Sequence, residues 1–158
     1  MDKNQFHTAR GYQILEKNKK LLTASMEDYL EMIYRFCKVQ GYVRIKTLAE
    51  TLNVRDSSVT KMVQKIASLG LLEYKKYGII TLTQDGKELG AFLLQRHKTV
   101  EIFLKFISNG DYILKDVELI EHSFNPKLIT NLEILTQFFE EHPEITDKYI
   151  KFKNNHLS

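Results

Sequence analysis

Ile45-Lys-Thr-Leu-Ala-Glu-Thr-Leu-Asn-Val-Arg-Asp-Ser-Ser-Val-Thr-Lys-Met-Val-Gln-Lys-Ile-Ala-Ser-Leu-Gly70 is the stretch that decides the architecture. Ile45, Leu48, Ala49 and Leu52 recur at helical spacing and predict a short amphipathic helix. Asn53 to Asp56 read as a tight turn. Val59, Met62, Val63, Ile66 and Leu69 then line the inner face of a second helix that closes at Gly70. Its outer face carries Ser57, Ser58, Thr60, Lys61, Gln64 and Lys65, with Arg55 just ahead. Two helices joined by a short turn, the second with a polar and basic outer face, predict a helix-turn-helix. Small hydroxyls at the helix start allow close approach to phosphates, and Lys and Gln reach phosphates or base edges. A solvated helix in a generic bundle has the same periodicity, but the next segment argues against it. Leu72–Lys76 and Ile79–Thr83 alternate at period two around Tyr77-Gly78, which predicts a β-hairpin. A hairpin there is a wing, with Lys75, Lys76 and Tyr77 near its tip placed to touch a DNA backbone.

Outward from this motif the chain is helical. Upstream, Thr23-Ala-Ser25 supplies N-cap oxygens. Met26, Leu30, Ile33 and Cys37 then form an apolar stripe that ends at Gly41. Residues 1–22 show weak helical spacing, interrupted by Gly11 and by Lys17, Lys19 and Lys20. They read as a mobile or loosely docked basic extension, with a helix as the form open to it. Downstream, Thr83 caps a long helix reaching about Ser108, with Leu89, Leu93, Val100, Leu104 and Ile107 on its stripe. Asn109-Gly110 breaks the chain before the next helix. Pro126 starts another, with Leu128, Leu132, Leu135 and Phe139 on one side, and Pro143 begins a short final helix that frays into a polar tail. The expected division is a basic extension (1–22), a winged helix-turn-helix domain (23–83) and a helical domain (84–158).

Composition bounds the function. With 158 residues, 43% hydrophobic and 27% charged, the chain reads as an ordinary globular protein with one good core or two small ones. No apolar run approaches the ~20 residues of a membrane span. The single cysteine, Cys37, precludes an internal disulfide and fits a reducing cytoplasm. Lys and Arg outnumber acids five to two over residues 1–22 and nine to six over 23–82, whereas residues 83–158 hold nine against twelve. The two basic segments suit a polyanion and the acidic remainder does not.

That acidic part contains Asp116-Val-Glu-Leu-Ile-Glu-His122. On a helix, Glu118, Glu121 and His122 project on neighbouring stripes, and two carboxylates with an imidazole suit manganese, iron or zinc. The same spacing fits a solvated polar face. His97 sits where an aliphatic residue would continue the long helix's stripe, which fits either a ligand or a hydrogen-bonded core residue. Asp28 and Glu31 are i, i+3 neighbours near the start of the helix that carries Met26, Leu30, Ile33 and Cys37, where acids also complement the helix dipole.

Taken together, Ser25-Met-Glu-Asp-Tyr-Leu-Glu31, Ser57–Lys65, Gln95-Arg-His97 and Asp116–His122 resemble the manganese transport regulators, the manganese-sensing branch of the diphtheria toxin repressor family. The likeness runs from about Thr23 to Glu141 and leaves residues 1–22 outside. It implies a mainly α fold in which an N-terminal winged helix-turn-helix is joined by a long helix to an α-helical dimerisation domain. It further implies Asp28, Glu31, His97, Glu118, Glu121 and His122 as ligands to two manganese(II) ions per subunit, with Glu31 and Glu121 as bridging candidates. The iron-sensing branch places sulfur-bearing side chains where this chain has Asp28 and Glu118. The implied protein is a cytoplasmic homodimer that represses metal-uptake genes from double-stranded operator DNA, its operator-binding form favoured by metal held between the two domains. It takes no small-molecule substrate, has no membrane attachment and is not an enzyme. Leu119 and Ile120 are the apolar candidates for the dimer contact. The alternatives are a DNA-binding regulator responding to iron or zinc, a DNA-binding module whose acidic cluster is structural, and a dinuclear metal hydrolase.

Overall fold

A computed structural model describes residues 3–108 and 114–157, with side chains from Ala9 onward. The expected break at Asn109-Gly110 lies outside the described residues. Those residues form α1 (Lys3–Asn18), α2 (Ala24–Gln40), β1 (Val43–Arg44), α3 (Ile45–Leu52), α4 (Asp56–Ser68), β2 (Leu72–Lys75), β3 (Ile79–Leu82), α5 (Gln84–Ile107), α6 (Leu114–Glu121), α7 (Pro126–Glu141) and α8 (Pro143–Leu157). They group into two compact units, residues 1–95 and 96–158, which divide within α5. None of the described helices is long and apolar enough to cross a membrane.

Local chemistry sets the helix ends of the first unit. Thr23 accepts from the Met26 amide at the start of α2, and Gly41 closes that helix at φ 83°, a left-handed angle that costs glycine nothing. Asn53 takes the same role after α3, at φ 53°, and so turns the chain within three residues into α4. The apolar residues of α2, α3 and α4 converge: Leu30, Ile33, Leu48, Val59, Val63 and Ile66 are fully buried. The hairpin β2–β3 forms with Leu72 opposite Leu82 and Lys75 opposite Ile79. A third strand escaped the sequence reading. β1 is only two residues long and pairs with β3 through Val43–Ile80 and Arg44–Ile79, too short to show a period-two pattern. Cys37 packs beside this core, and burial pushes its thiol pKa up, consistent with a packing role.

The basic extension is helical from Lys3 on, as its weak spacing allowed, but it is docked rather than loose. The helix α1 runs straight through Gly11, and Ile14 and Leu22 are buried in the first core. Gly11 is an approach point rather than a break. A Cβ there would lie 2.6 Å from both the Glu88 carbonyl oxygen and the Phe92 Cβ of α5. Tyr12 stacks obliquely on Phe92, and Arg10 pairs with Asp85 at 3.4 Å. Two further glycines on α5 do the same work. A Cβ on Gly86 would fall 1.7 Å from the Leu71 carbonyl oxygen, and one on Gly90 would meet the Tyr34 ring. The start of α5 therefore belongs to the first core, with Leu89, Phe92 and Leu93 inside it.

The second unit has a smaller apolar cluster of Val100, Val117 and Ile129, edged by Leu104, Ile120 and Phe124. Ile120 thus packs inward, whereas its neighbour Leu119 is 66% exposed. Asn125 caps α7 by accepting from the Leu128 amide. The final helix is longer than expected, because Tyr149 stacks on Phe106 at 5.3 Å and Lys153 donates to the Ile107 carbonyl.

The glycine contacts carry a sign that helix propensity alone reverses. Alanine is favoured over glycine within a helix by about 1 kcal/mol, so Gly86→Ala would stabilise an isolated α5. In the protein the clash with the Leu71 backbone should outweigh this and lower the melting temperature by several degrees, about 1–3 kcal/mol of overpacking. Gly11→Ala should mainly loosen α1. Calorimetry and limited proteolysis on the two variants check both outcomes.

Candidate functional site

The six residues expected as ligands lie on or beside three helices. In the first unit Asp28 and Glu31 stand one turn apart on α2, Asp28 exposed and Glu31 buried. In the second unit His97 belongs to α5, Glu118 and Glu121 lie one turn apart on α6, and His122 follows the last residue of α6. Val117 and Glu121 are four residues apart and both buried, so the inner face of α6 carries an apolar anchor and then a carboxylate. Glu118 and His122 share the adjoining stripe, exposed and half-buried respectively.

The second unit brings His97 and Glu121 together. Nδ1 of His97 lies 3.3 and 3.2 Å from the two oxygens of Glu121, and Glu121 is 1% exposed. A carboxylate so deeply buried demands a hydrogen-bond donor or a positive partner. When Nδ1 carries the ring proton it donates to the carboxylate and meets that need. The same spacing fits a divalent cation, since bonds of ~2.1 Å at right angles put neighbouring ligand atoms about 3 Å apart. Oxygen and imidazole donors with no sulfur form a set suited to a borderline-hard ion. His122 is held differently: Nη2 of Arg96 lies 3.0 Å from its Nδ1. A guanidinium only donates, so Nδ1 accepts and the proton of a neutral ring sits on Nε2.

Two arginines next to these donors escaped the sequence reading. Arg96 is almost fully buried beside His97 in the sequence, and a charged residue inside an apolar helical stripe is the signal that marks it. Arg35 donates from Nε to Glu31 Oε1 at 2.9 Å and also from Nη2. Its signal is the favourable Glu-to-Arg spacing of four residues on one helix.

The proposed nucleic-acid face forms a separate surface of the first unit. On α4, Val59, Val63 and Ile66 point inward while Ser57, Ser58, Lys61, Gln64 and Lys65 are exposed, as is Arg55 ahead of them. Thr60 is half-buried and its hydroxyl donates to the Asp56 carbonyl at 2.8 Å, so it serves its own helix first. At the wing, Tyr77 is 88% exposed at φ 63° and Lys76 is exposed beside it. Lys75 pairs with Glu73 at 3.1 Å, which offsets part of its charge.

Two family patterns match the chain: the iron dependent repressor N-terminal DNA binding domain over residues 21–80, and the iron dependent repressor metal binding and dimerisation domain over 83–149. The HTH-type transcriptional regulator MntR of Lysinibacillus sphaericus is 44% identical over 135 residues, covering 85% of this chain and 97% of the relative. The protein belongs to the iron-dependent (diphtheria toxin) repressor family, in its manganese transport regulator branch. The MntR of Shouchella clausii is 45% identical over 120 residues, covering 75% and 84%. Among solved structures, the manganese regulator SloR matches with a TM-score of 0.63 at 28% identity over 72% of this chain. An IdeR from T. acidophilum matches with a TM-score of 0.58 at 28% identity over 67% of it. The chain spans about half the length of those two structures, 54% and 51%.

As a family member, the protein is a metal-dependent, DNA-binding transcriptional repressor with a DNA-binding domain and a metal-binding and dimerisation domain. Its relatives are regulators rather than enzymes, which sets the hydrolase alternative aside. For the exposed face of α4, Lys61→Ala and Lys65→Ala should each weaken operator binding. Each should also lower the slope of log affinity against log salt by about 0.9, the release lost with one phosphate contact. Fluorescence anisotropy across a salt series checks this, and operator binding unchanged in both variants would remove α4 from the recognition role.

Proposed function

We propose that this regulator senses manganese(II) through Asp28, Glu31, His97, Glu118, Glu121 and His122, with two ions per subunit. The observation that carries the reading is the pairing of buried Glu121 with His97 at 3.2 Å, a buried oxygen and nitrogen donor pair that a divalent cation fits. The resemblance to MntR regulators supports extending the ligand set to the carboxylates of α2 and α6. Bound metal supplies positive charge to four carboxylates that otherwise repel one another. The chain's own residues hold the donors in place: Val117 seats α6 and Thr23 starts α2, while Arg96 holds Nδ1 of His122 and must release it for that nitrogen to bind metal.

The repressor acts as a cytoplasmic homodimer on pseudo-palindromic operator DNA that controls metal-uptake genes. Each subunit presents α4 to a major groove, with Arg55, Ser57, Ser58, Lys61, Gln64 and Lys65 facing the duplex and Lys75, Lys76 and Tyr77 at the backbone. Thr60 steadies α4 and contacts the duplex through what its hydroxyl has left. Exposed Leu119 belongs to the dimer surface. Because metal and DNA favour the same conformation, each strengthens the other's binding by the same factor.

Metal choice follows from ligand chemistry. Manganese(II) binds most weakly in the divalent series, so selectivity comes from geometry and ion count rather than affinity. Manganese(II) should activate operator binding more fully than zinc at saturation, even where zinc binds more tightly. Asp28→Met, which adds a soft sulfur, should broaden the response toward iron(II), and Glu121→Ala or His122→Ala should abolish activation. Operator affinity at saturating manganese, iron and zinc measures this for parent and variants. Equal activation of the parent by all three metals would overturn the manganese assignment.

A further inference from the structure

The Arg35 guanidinium occupies one oxygen of Glu31 from within the same helix, four residues further along α2. Both Nε and Nη2 donate to Oε1, and the two side chains differ in exposure, 41% for Arg35 and 10% for Glu31. We propose that Arg35 is a built-in competitor for the metal at Glu31 and thereby sets the metal concentration at which the protein responds. The inference rests on Glu31 being a ligand, as proposed above.

Three physical points support it. Arginine is charged at every accessible pH, so this competitor cannot be titrated away. An exposed ion pair of this spacing contributes little, but the Glu31 end is nearly buried, where solvent and salt screen the charge weakly. A cation arriving at Glu31 must therefore share the carboxylate with a guanidinium or displace it, and two positive groups on one carboxylate repel. Displacement has a destination. Arg35 lines an open cleft with Met32, Phe36, Tyr42 and Arg44, where its aliphatic stem can lie on apolar walls while the head stays in water.

The test is manganese(II) affinity itself, read on the full-length protein without DNA. Loss of the free aqueous manganese resonance in electron paramagnetic resonance gives the bound fraction. Arg35→Met keeps an unbranched stem and removes the charge. It should tighten manganese binding roughly tenfold, the low end of what a charge-assisted hydrogen bond is worth. Arg35→Gln should act in the same direction, and Arg35→Lys should fall between them and the parent. Circular dichroism confirms that each variant is folded, and either neutral variant suffices if the other is not. Unchanged or weaker binding in the folded neutral variants, with Glu31→Gln weakened, would overturn the role of Arg35 and leave the ligand assignment standing. Manganese binding by Glu31→Gln equal to the parent would overturn the ligand assignment and this inference with it.

Discussion

A carboxylate buried in a protein needs a cation or hydrogen-bond donors beside it, and this constraint governs the second unit. Glu121 keeps 1% of its surface, with His97 Nδ1 3.2 Å away. Holding that pair requires α5 to present His97 on its inner stripe and α6 to dock by Val117, four residues before Glu121. The apolar cluster of Val100, Val117 and Ile129 is what fixes those two helices against each other. The first unit meets the same constraint by other means. Glu31 is answered by a guanidinium on its own helix, and buried Glu88 accepts from Gln84 at 2.8 Å. Permanently charged, titratable and neutral donors thus each appear beside a buried acid.

Those solutions differ in how readily a metal ion replaces them. A neutral imidazole frees Nδ1 for a metal by carrying its ring proton on the other nitrogen, whereas a guanidinium only donates and must move bodily aside. The two halves of the proposed ligand set therefore start from different resistance to metal. Sulfur is absent from the set, since the one cysteine is packed beside the first core at Ile80. This leaves an all oxygen and nitrogen environment, in keeping with the manganese transport regulator branch of the family.

The first unit rests on close approach rather than on bulk. Gly11, Gly86 and Gly90 let α1, the Leu71 turn and α2 reach α5 at distances that a single methyl group would block. Leu89, Phe92 and Leu93 then fill the space behind α2 and α4. This packing holds α4 with its apolar residues inward and so exposes the face that helical spacing gives Lys61, Gln64 and Lys65 in common. The basic character of that face and the acidic character of the second unit are two sides of one division of labour. Polyanion recognition and cation capture need opposite fields, and within the first unit the basic face of α4 and the proposed carboxylate donors of α2 lie on different helices.

Periodicity and capping chemistry made most of the elements legible in sequence. The pair α3–α4, the hairpin and the long α5 follow from apolar spacing, Asn53, Tyr77-Gly78 and Thr83, because these are local rules that each segment obeys alone. The metal-type donors were legible by residue type and by likeness to a family, and the outward face of α4 by its polarity. Other features depended on contacts between distant residues. Strand β1 exists only because β3 lies beside it, and α1 is docked only because Gly11 meets Glu88 and Phe92. In sequence a glycine inside a helix reads as a break, whereas in the fold it marks a close approach. Ile120 looked equivalent to Leu119 until the second cluster drew Ile120 partly inside and left Leu119 exposed. The four-residue spacing on α2 pairs Arg35 with Glu31 locally, whereas tertiary structure alone buried Glu31 and set His97 against Glu121, since burial, which gives a charge pair its strength, is a property of the assembled neighbours.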